Sequence, residues 1–429
     1  MLRRARISAT ASALALTTVM LGCGGGSAQP TLSWYINPDN GGQAELAAKC
    51  TAAAGGRYRI TTSVLPNEAT GQREQLVRRL AAEDASIDLM SLDPPFVAEF
   101  AAAGFLRPFA DGEAEGLTDG VLDGPVASAR WDGKLVSAPF WANSQLLWYR
   151  KSVAVRAGLD PLGRPVTWEQ VIAAAEETGT TVEVQGRRYE GYMVWINALV
   201  ASAGGAILAD PEAGKDARPV LDSDAGRLGA AVIQRLARSR AADAGLSSAD
   251  EEAARAAFQR ARGGFMANWP YVYGAAQEAV ADGSLDRSVL DDIGWARYPR
   301  VTSDRESRPP LGGINLAVSA FSRNAGFAVE AVRCITSEES QQEYMVSAKN
   351  PAARAAVYDD PEVRRIFPMA DLIRESIDDS APRPQTPYYT DVSSAVVRTF
   401  HPPARVRPER TPAEAADLVV GVLHDEVLL

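Results

Sequence analysis

The groups able to do chemistry in this chain are acids, amides, arginines and indoles rather than imidazoles. Only two histidines occur in 429 residues, His401 and His424, both near the C-terminus. That scarcity removes most zinc sites and weakens any Ser/His/Asp or Cys/His arrangement, since each needs an imidazole as ligand or base. There is no P-loop, no Gly-x-Ser-x-Gly elbow and no dinucleotide fingerprint at a strand–helix turn. No cofactor and no metal are therefore expected. Glycoside hydrolysis needs only two carboxylates, so a secreted glycosidase is kept as the enzymatic alternative. The net charge of −10, from 44 Lys+Arg against 54 Asp+Glu, argues against a nucleic-acid partner, which requires a basic surface.

The N-terminus carries its own chemistry. Arg3, Arg4 and Arg6 precede an uncharged apolar stretch from Ile7 to Leu21, too short to span a bilayer with ease. The pattern is that of a secretory signal peptide over residues 1–22. It ends at Leu21-Gly22-Cys23 and resembles a bacterial lipoprotein signal, in which the Cys is diacylated and becomes the mature N-terminus; Met20 stands where such signals usually carry Leu. Residues 23–30, with Gly24–Gly26 and Ser27, suit a flexible tether. The expected location is extracytoplasmic, with the chain held at the outer face of the cytoplasmic membrane by Cys23. Cys50 and Cys334 remain, and outside the cytoplasm two thiols favour pairing; two separately buried small residues are the alternative.

Behind these groups lies a regular alternation of elements. Thr31–Ile36, Tyr58–Leu65 and Ile87–Leu92 read as strands, with helices over 43–54, 72–84 and 94–103 between and after them. Such alternation implies βαβ units and a mostly parallel sheet, whose ligands sit at the carboxyl ends of strands. Lys134–Arg150 is extended, and Thr167 caps a helix running to Thr178. Further helices are expected at 193–203, 224–239, 249–261, 327–335, 338–346, 361–377, 392–399 and 412–427, with extended pieces at Ile293–Tyr298 and Gly313–Ala320. The length exceeds one ordinary core. Two α/β lobes follow: residues 31–142 plus 297–320, and residues 143–296 plus 321–429. Repeated crossings at extended segments make a hinge, and a hinge between lobes makes a cleft.

Five segments then stand out in order: Ile87–Asp93; Gly133–Lys151 with Pro139-Phe140-Trp141-Ala142-Asn143; Phe265–Pro270 with Asn268-Trp269-Pro270; Leu311–Ser319 with Gly312-Gly313; and Ala381–Ser393 with Arg383-Pro384 and Tyr388-Tyr389. Together they resemble the sugar-binding proteins of ABC importers, the maltose- and trehalose-binding class, with the likeness nearest the trehalose-binding lipoproteins. The resemblance implies a two-lobed periplasmic-binding-protein-like α/β fold, a disaccharide ligand with trehalose foremost, ABC permease subunits as partners, a monomeric state and no catalysis. A binding protein for another oligosaccharide or neutral solute is the alternative. It also implies contacts, one residue at a time. Asn40 and Gln43 would bind from the first loop and helix, and Asp93 would accept from a hydroxyl pair. Asn143 would bind beside the hinge, Trp269 would stack on a sugar face, Gly313 would bring backbone close, and Arg383 would donate to hydroxyls. These types suit a sugar: a carboxylate makes charge-assisted bonds, arginine offers a rigid fork, and glycine removes a side chain where backbone must approach. Each also has a plainer role. Asn40 before two glycines suits a turn, Gln43 a first helical turn, Asp93 before two prolines a helix cap, and Asn143 the hinge backbone. Trp269 suits a core, Gly313 a bulge, and Arg383 a surface charge.

Overall fold

A computed structural model describes residues 29–39 and 41–429. The signal segment, Cys23 and Asn40 therefore lie outside the described residues. Nine strands carry the two main sheets: β1 (Thr31–Ile36), β2 (Arg59–Val64), β3 (Leu89–Leu92), β4 (Ala138–Ser144), β5 (Leu146–Arg150), β6 (Thr181–Glu183), β7 (Gly263–Asn268), β8 (Ile293–Ala296) and β9 (Leu311–Val318).

The first sheet runs β2-β1-β3-β9-β4. Its first three strands are parallel, while β9 returns antiparallel to both β3 and β4. All four residues of β3 are buried, as expected of a strand covered on both faces. Trp34, Phe140, Leu316 and Val332 share its core. The second sheet runs β8-β5-β7-β6, with β7 antiparallel to β5 and parallel to β6. Its lobe is built round fully buried Trp168 and Trp195. Trp168 opens the helix Trp168–Thr178, where Thr167 Oγ1 accepts from Gln170 N at 3.2 Å and Gln170 Oε1 accepts from Thr167 N at 2.9 Å. This reciprocal cap satisfies two N–H groups that the first turn leaves free.

The chain passes between the lobes at three places lying side by side. Gln145 alone separates β4 from β5. Pro309–Leu311 and Ala381 run together, with Ala381 N donating to Pro309 O at 2.8 Å and Leu311 N to Ala381 O at 3.1 Å. Ser144 Oγ closes the bundle on Pro310 O at 2.9 Å.

The lobe boundaries differ from those expected. Residues 297–308 stay with the second lobe: Tyr298 packs edge-on to Trp168, Arg300 N donates to Val166 O, and Arg308 N to Ser202 Oγ. Residues 321–348 belong to the first lobe, because helices Ala325–Ile335 and Glu338–Ala348 bury their apolar stripes against the helix Gly42–Ala53. A disulfide joins Cys50 to Cys334 there, Cα–Cα 5.9 Å. The helix Ala370–Asp378 packs on β4. The second lobe resumes with the helix Tyr389–Phe400 against Glu190–Ser202. The single helix expected over 361–377 is two, Pro361–Ile366 and Ala370–Asp378. Pro368 lies in the break, where a ring without an N–H cannot continue the ladder.

Candidate functional site

The carboxyl end of β3 delivers Asp93, whose carbonyl accepts from Phe96 N at 3.0 Å as the next helix begins. The end of β4 delivers Trp141 and Asn143, the start of β9 delivers Gly312 and Gly313, and the residue after β7 is Trp269. From the second lobe come Arg187 and Tyr189 ahead of one helix with Glu190 as its first residue, and Asp250 ahead of another with Glu251 as its first residue. These groups line one cleft of about 550 Å³, floored by Arg383 from the third crossing. That volume lies within the roughly 300–1,000 Å³ range of small-molecule sites.

Arg383 is 4 % exposed, and both its terminal nitrogens meet acids while its Nε has no partner among the described residues. Its Nη2 meets Asp93 Oδ1 at 2.6 Å and its Nη1 meets Asp93 Oδ2 at 3.2 Å, a fork on a first-lobe carboxylate. The same Nη1 reaches Glu190 Oε1 of the second lobe at 2.7 Å. Glu190 also accepts from Ser393 Oγ at 2.8 Å and from the Tyr389 hydroxyl. One guanidinium thus ties both lobes and the crossing segment together. Burial pushes the Asp93 carboxyl above its usual range, with the Arg383 fork working the other way and Glu190 adding to the rise. A second link closes the rim, where Arg187 Nη2 meets Glu68 Oε1 at 2.6 Å across the lobes and Nη1 meets Asp250 Oδ2 at 3.2 Å.

Trp269 is buried, with one edge of its ring over Gly312. A methyl group at Gly312 would stand 2.4 Å from Asn143 Oδ1 and 2.8 Å from the indole, so only glycine lets that amide and that ring converge. Gly313 has φ +126° and a methyl there would lie 2.3 Å from the Trp141 carbonyl oxygen. Two groups on this wall have no hydrogen-bond partner among the described residues, Asn143 Oδ1 and Trp141 Nε1.

Of the residues singled out in the sequence, Asp93, Asn143, Trp269, Gly313 and Arg383 line this one cleft. Gln43 does not. Its side chain is fully buried, donating to Asn37 O at 2.8 Å and accepting from Ser91 Oγ at 3.3 Å. It lies in the first turn of the helix Gly42–Ala53, the plainer of its two readings, and there holds the first loop on the sheet. Arg383 also carries a part not expected of it, since its terminal nitrogens hold Asp93 and Glu190. The cleft gains Trp141, Arg187, Tyr189, Glu190 and Glu251, which sequence reasoning passed over. Tyr192 and Asn197, close in sequence, are structural: Tyr192 Oη donates to Phe400 O and Asn197 Nδ2 to Pro382 O, at 3.0 and 3.1 Å.

Two α/β lobes, three crossings and a lined cleft define the periplasmic-binding-protein fold. The chain belongs to the bacterial extracellular solute-binding protein family, whose signature matches residues 52–342. It is 29% identical over 276 residues to a probable ABC transporter-binding protein of Deinococcus radiodurans, covering 61% of this chain and 62% of that one. A shorter stretch of 100 residues is 35% identical to the sn-glycerol-3-phosphate-binding periplasmic protein UgpB of Agrobacterium fabrum, 22% of this chain and 23% of the relative. The chain thus spans under two thirds of the length of each of these curated relatives. Among solved structures, maltose-bound T. maritima MalE3 superposes with a TM-score of 0.76 at 24% identity, over 92% of this chain and 100% of that one.

Proposed function

We propose that this protein captures a disaccharide, trehalose foremost, outside the cytoplasmic membrane and hands it unaltered to an ABC permease. The observation that carries the reading is the convergence of the Trp269 ring, the Asn143 side chain and a wall of acids in one interlobe cleft. A sugar presents apolar C–H faces and dense hydroxyls. The indole covers the first, and carboxylates and amides take the second. The fold shared with a maltose-bound protein supports the same class of ligand. The preference for trehalose rests on the likeness of Gly312-Gly313 and of Arg383-Pro384 through Tyr388-Tyr389 to that branch of the family.

The mechanism is a hinged trap. A solute touching both walls binds the closed form more tightly than the open one, and closure follows from that difference alone. Asp93, Arg383 and Glu190 already bridge the lobes, so the ligand adds to an existing contact. A diacylated Cys23 supplies the two chains that stable anchoring takes and keeps the trap beside its permease.

A thermal-shift screen with trehalose, maltose, other disaccharides and glycerol 3-phosphate tests the reading. Trehalose or a close isomer should raise the Tm by several degrees, and chromatography should recover it intact. No shift with any sugar, or cleavage of the sugar, would overturn it.

A further inference from the structure

Six carboxylates line the cleft, Glu68, Asp93, Glu190, Asp250, Glu251 and Glu252, and five of them have a cation. Arg187 holds Glu68 and Asp250, Arg383 holds Asp93 and Glu190, and Arg255 holds Glu252 at 2.7 Å. Glu251 makes no ion pair among the described residues. As the first residue of the helix Glu251–Phe258 it is placed well for the helix dipole. The dipole accounts for an acid at that position, but not for one set in the cleft wall beside aromatic groups. Trp269, Tyr189 and Tyr271 line the same cleft. The charged groups around Glu251 are Asp250 and Glu252 on its own segment, Asp93 opposite and Arg187 through Asp250.

We propose that the cleft accepts an amino-substituted saccharide, a glycoside with one protonated alkylamine, whose ammonium takes Glu251 as its counter-ion. The inference rests on the reading of the cleft as a saccharide site and narrows its ligand class. An ammonium brings three donors to a wall of acceptors. One further polar side chain, independent of the acid cluster, lines the same cleft: Asn143, 8 % exposed, whose Oδ1 is buried without a partner among the described residues. Aromatic faces favour a cation close by, and here Trp269, Tyr189 and Tyr271 share the cleft lining with Glu251. With two arginines against six acids on the lining, a phosphorylated solute would meet net repulsion.

Burial pushes the Glu251 carboxyl up to about 7, with the Trp269 hydrogen bond opposing and Glu252, Asp93 and Asp250 adding to the rise. From pH 6 to pH 8 it passes from roughly one tenth to nine tenths ionised. The probes are trehalose and maltose, each with its 6-amino-6-deoxy derivative, titrated calorimetrically at both pH values. The alkylamine titrates nearer the lysine range and stays charged throughout. For at least one pair, the affinity of the amino sugar relative to its neutral parent should rise five- to tenfold from pH 6 to pH 8. In Glu251→Gln that ratio should be flat. A flat ratio in the wild type with the neutral sugars bound, or a rise that survives in Glu251→Gln, overturns the amine proposal alone. Binding of none of the four sugars removes the saccharide reading and this inference with it.

Discussion

Replacing Arg383 with Met is the most consequential single change the structure offers. The guanidinium side chain is 3% exposed, and the two acids it holds, Asp93 and Glu190, are 16% and 10% exposed. Arg383→Met keeps the length and apolar stem of the side chain and deletes the charge. Two largely buried carboxylates would then share a site with no counter-ion, repelling each other across the lobes. Breaking a buried pair by removing one partner costs roughly 3–5 kcal/mol, and here one cation serves two anions, so the upper half of that range applies. Guanidinium unfolding at pH 7.5, followed by circular dichroism and by tryptophan fluorescence, measures the loss. At pH 5 the loss should shrink, because carboxyls stripped of their cation take up protons there. Adding Asp93→Asn and Glu190→Gln should restore at least half of it, since neutral amides need no counter-charge. A loss under about 1 kcal/mol at pH 7.5, or one that ignores pH, would refute the reasoning; it would mean that water already solvates these acids.

Two other changes probe the scaffold. Glu183 is 2 % exposed in β6, and burial lifts its carboxyl to about 7, with the Thr181 hydrogen bond opposing. The folded chain therefore binds this proton more tightly than the unfolded one. Stability is highest below the unfolded value and falls as pH rises through about 7. Glu183→Gln, which can still accept from Thr181 Oγ1, should raise stability at pH 8 by on the order of 3 kcal/mol and by far less at pH 4; equal gains at both, in denaturant midpoints, would contradict this. Gly313→Ala meets a left-handed φ and a backbone carbonyl at once, and should cost at least about 2 kcal/mol in the same assay.

Local signals carried much of the architecture. Thr167 with Gln170, the buried run of β3 and the prolines after Asp93 act on neighbours within a few residues, and sequence reading placed them. What escaped it depends on distance. Arg383 and Glu190 are 193 residues apart, so nothing local marks the arginine as the cation of an interlobe pair instead of a donor to sugar. Glu251 falls inside the helix expected over 249–261, and only the fold brings it to the cleft. Gln43 shows the converse, since its type fits a hydroxyl but its helix carries it under the Asn37 loop. The assignment of residues 321–348 failed because their apolar stripe suits either lobe. Packing against Gly42–Ala53 decides it.

The claim on which the account depends is that a sugar lies against Trp269 between the lobes. Calorimetric titration of Trp269→Ala with the sugar that stabilises the wild type most tests it directly. Loss of the ring face should weaken binding by about 2 kcal/mol, a roughly thirty-fold rise in Kd, with an unchanged circular dichroism spectrum. Wild-type affinity in that variant would contradict the account.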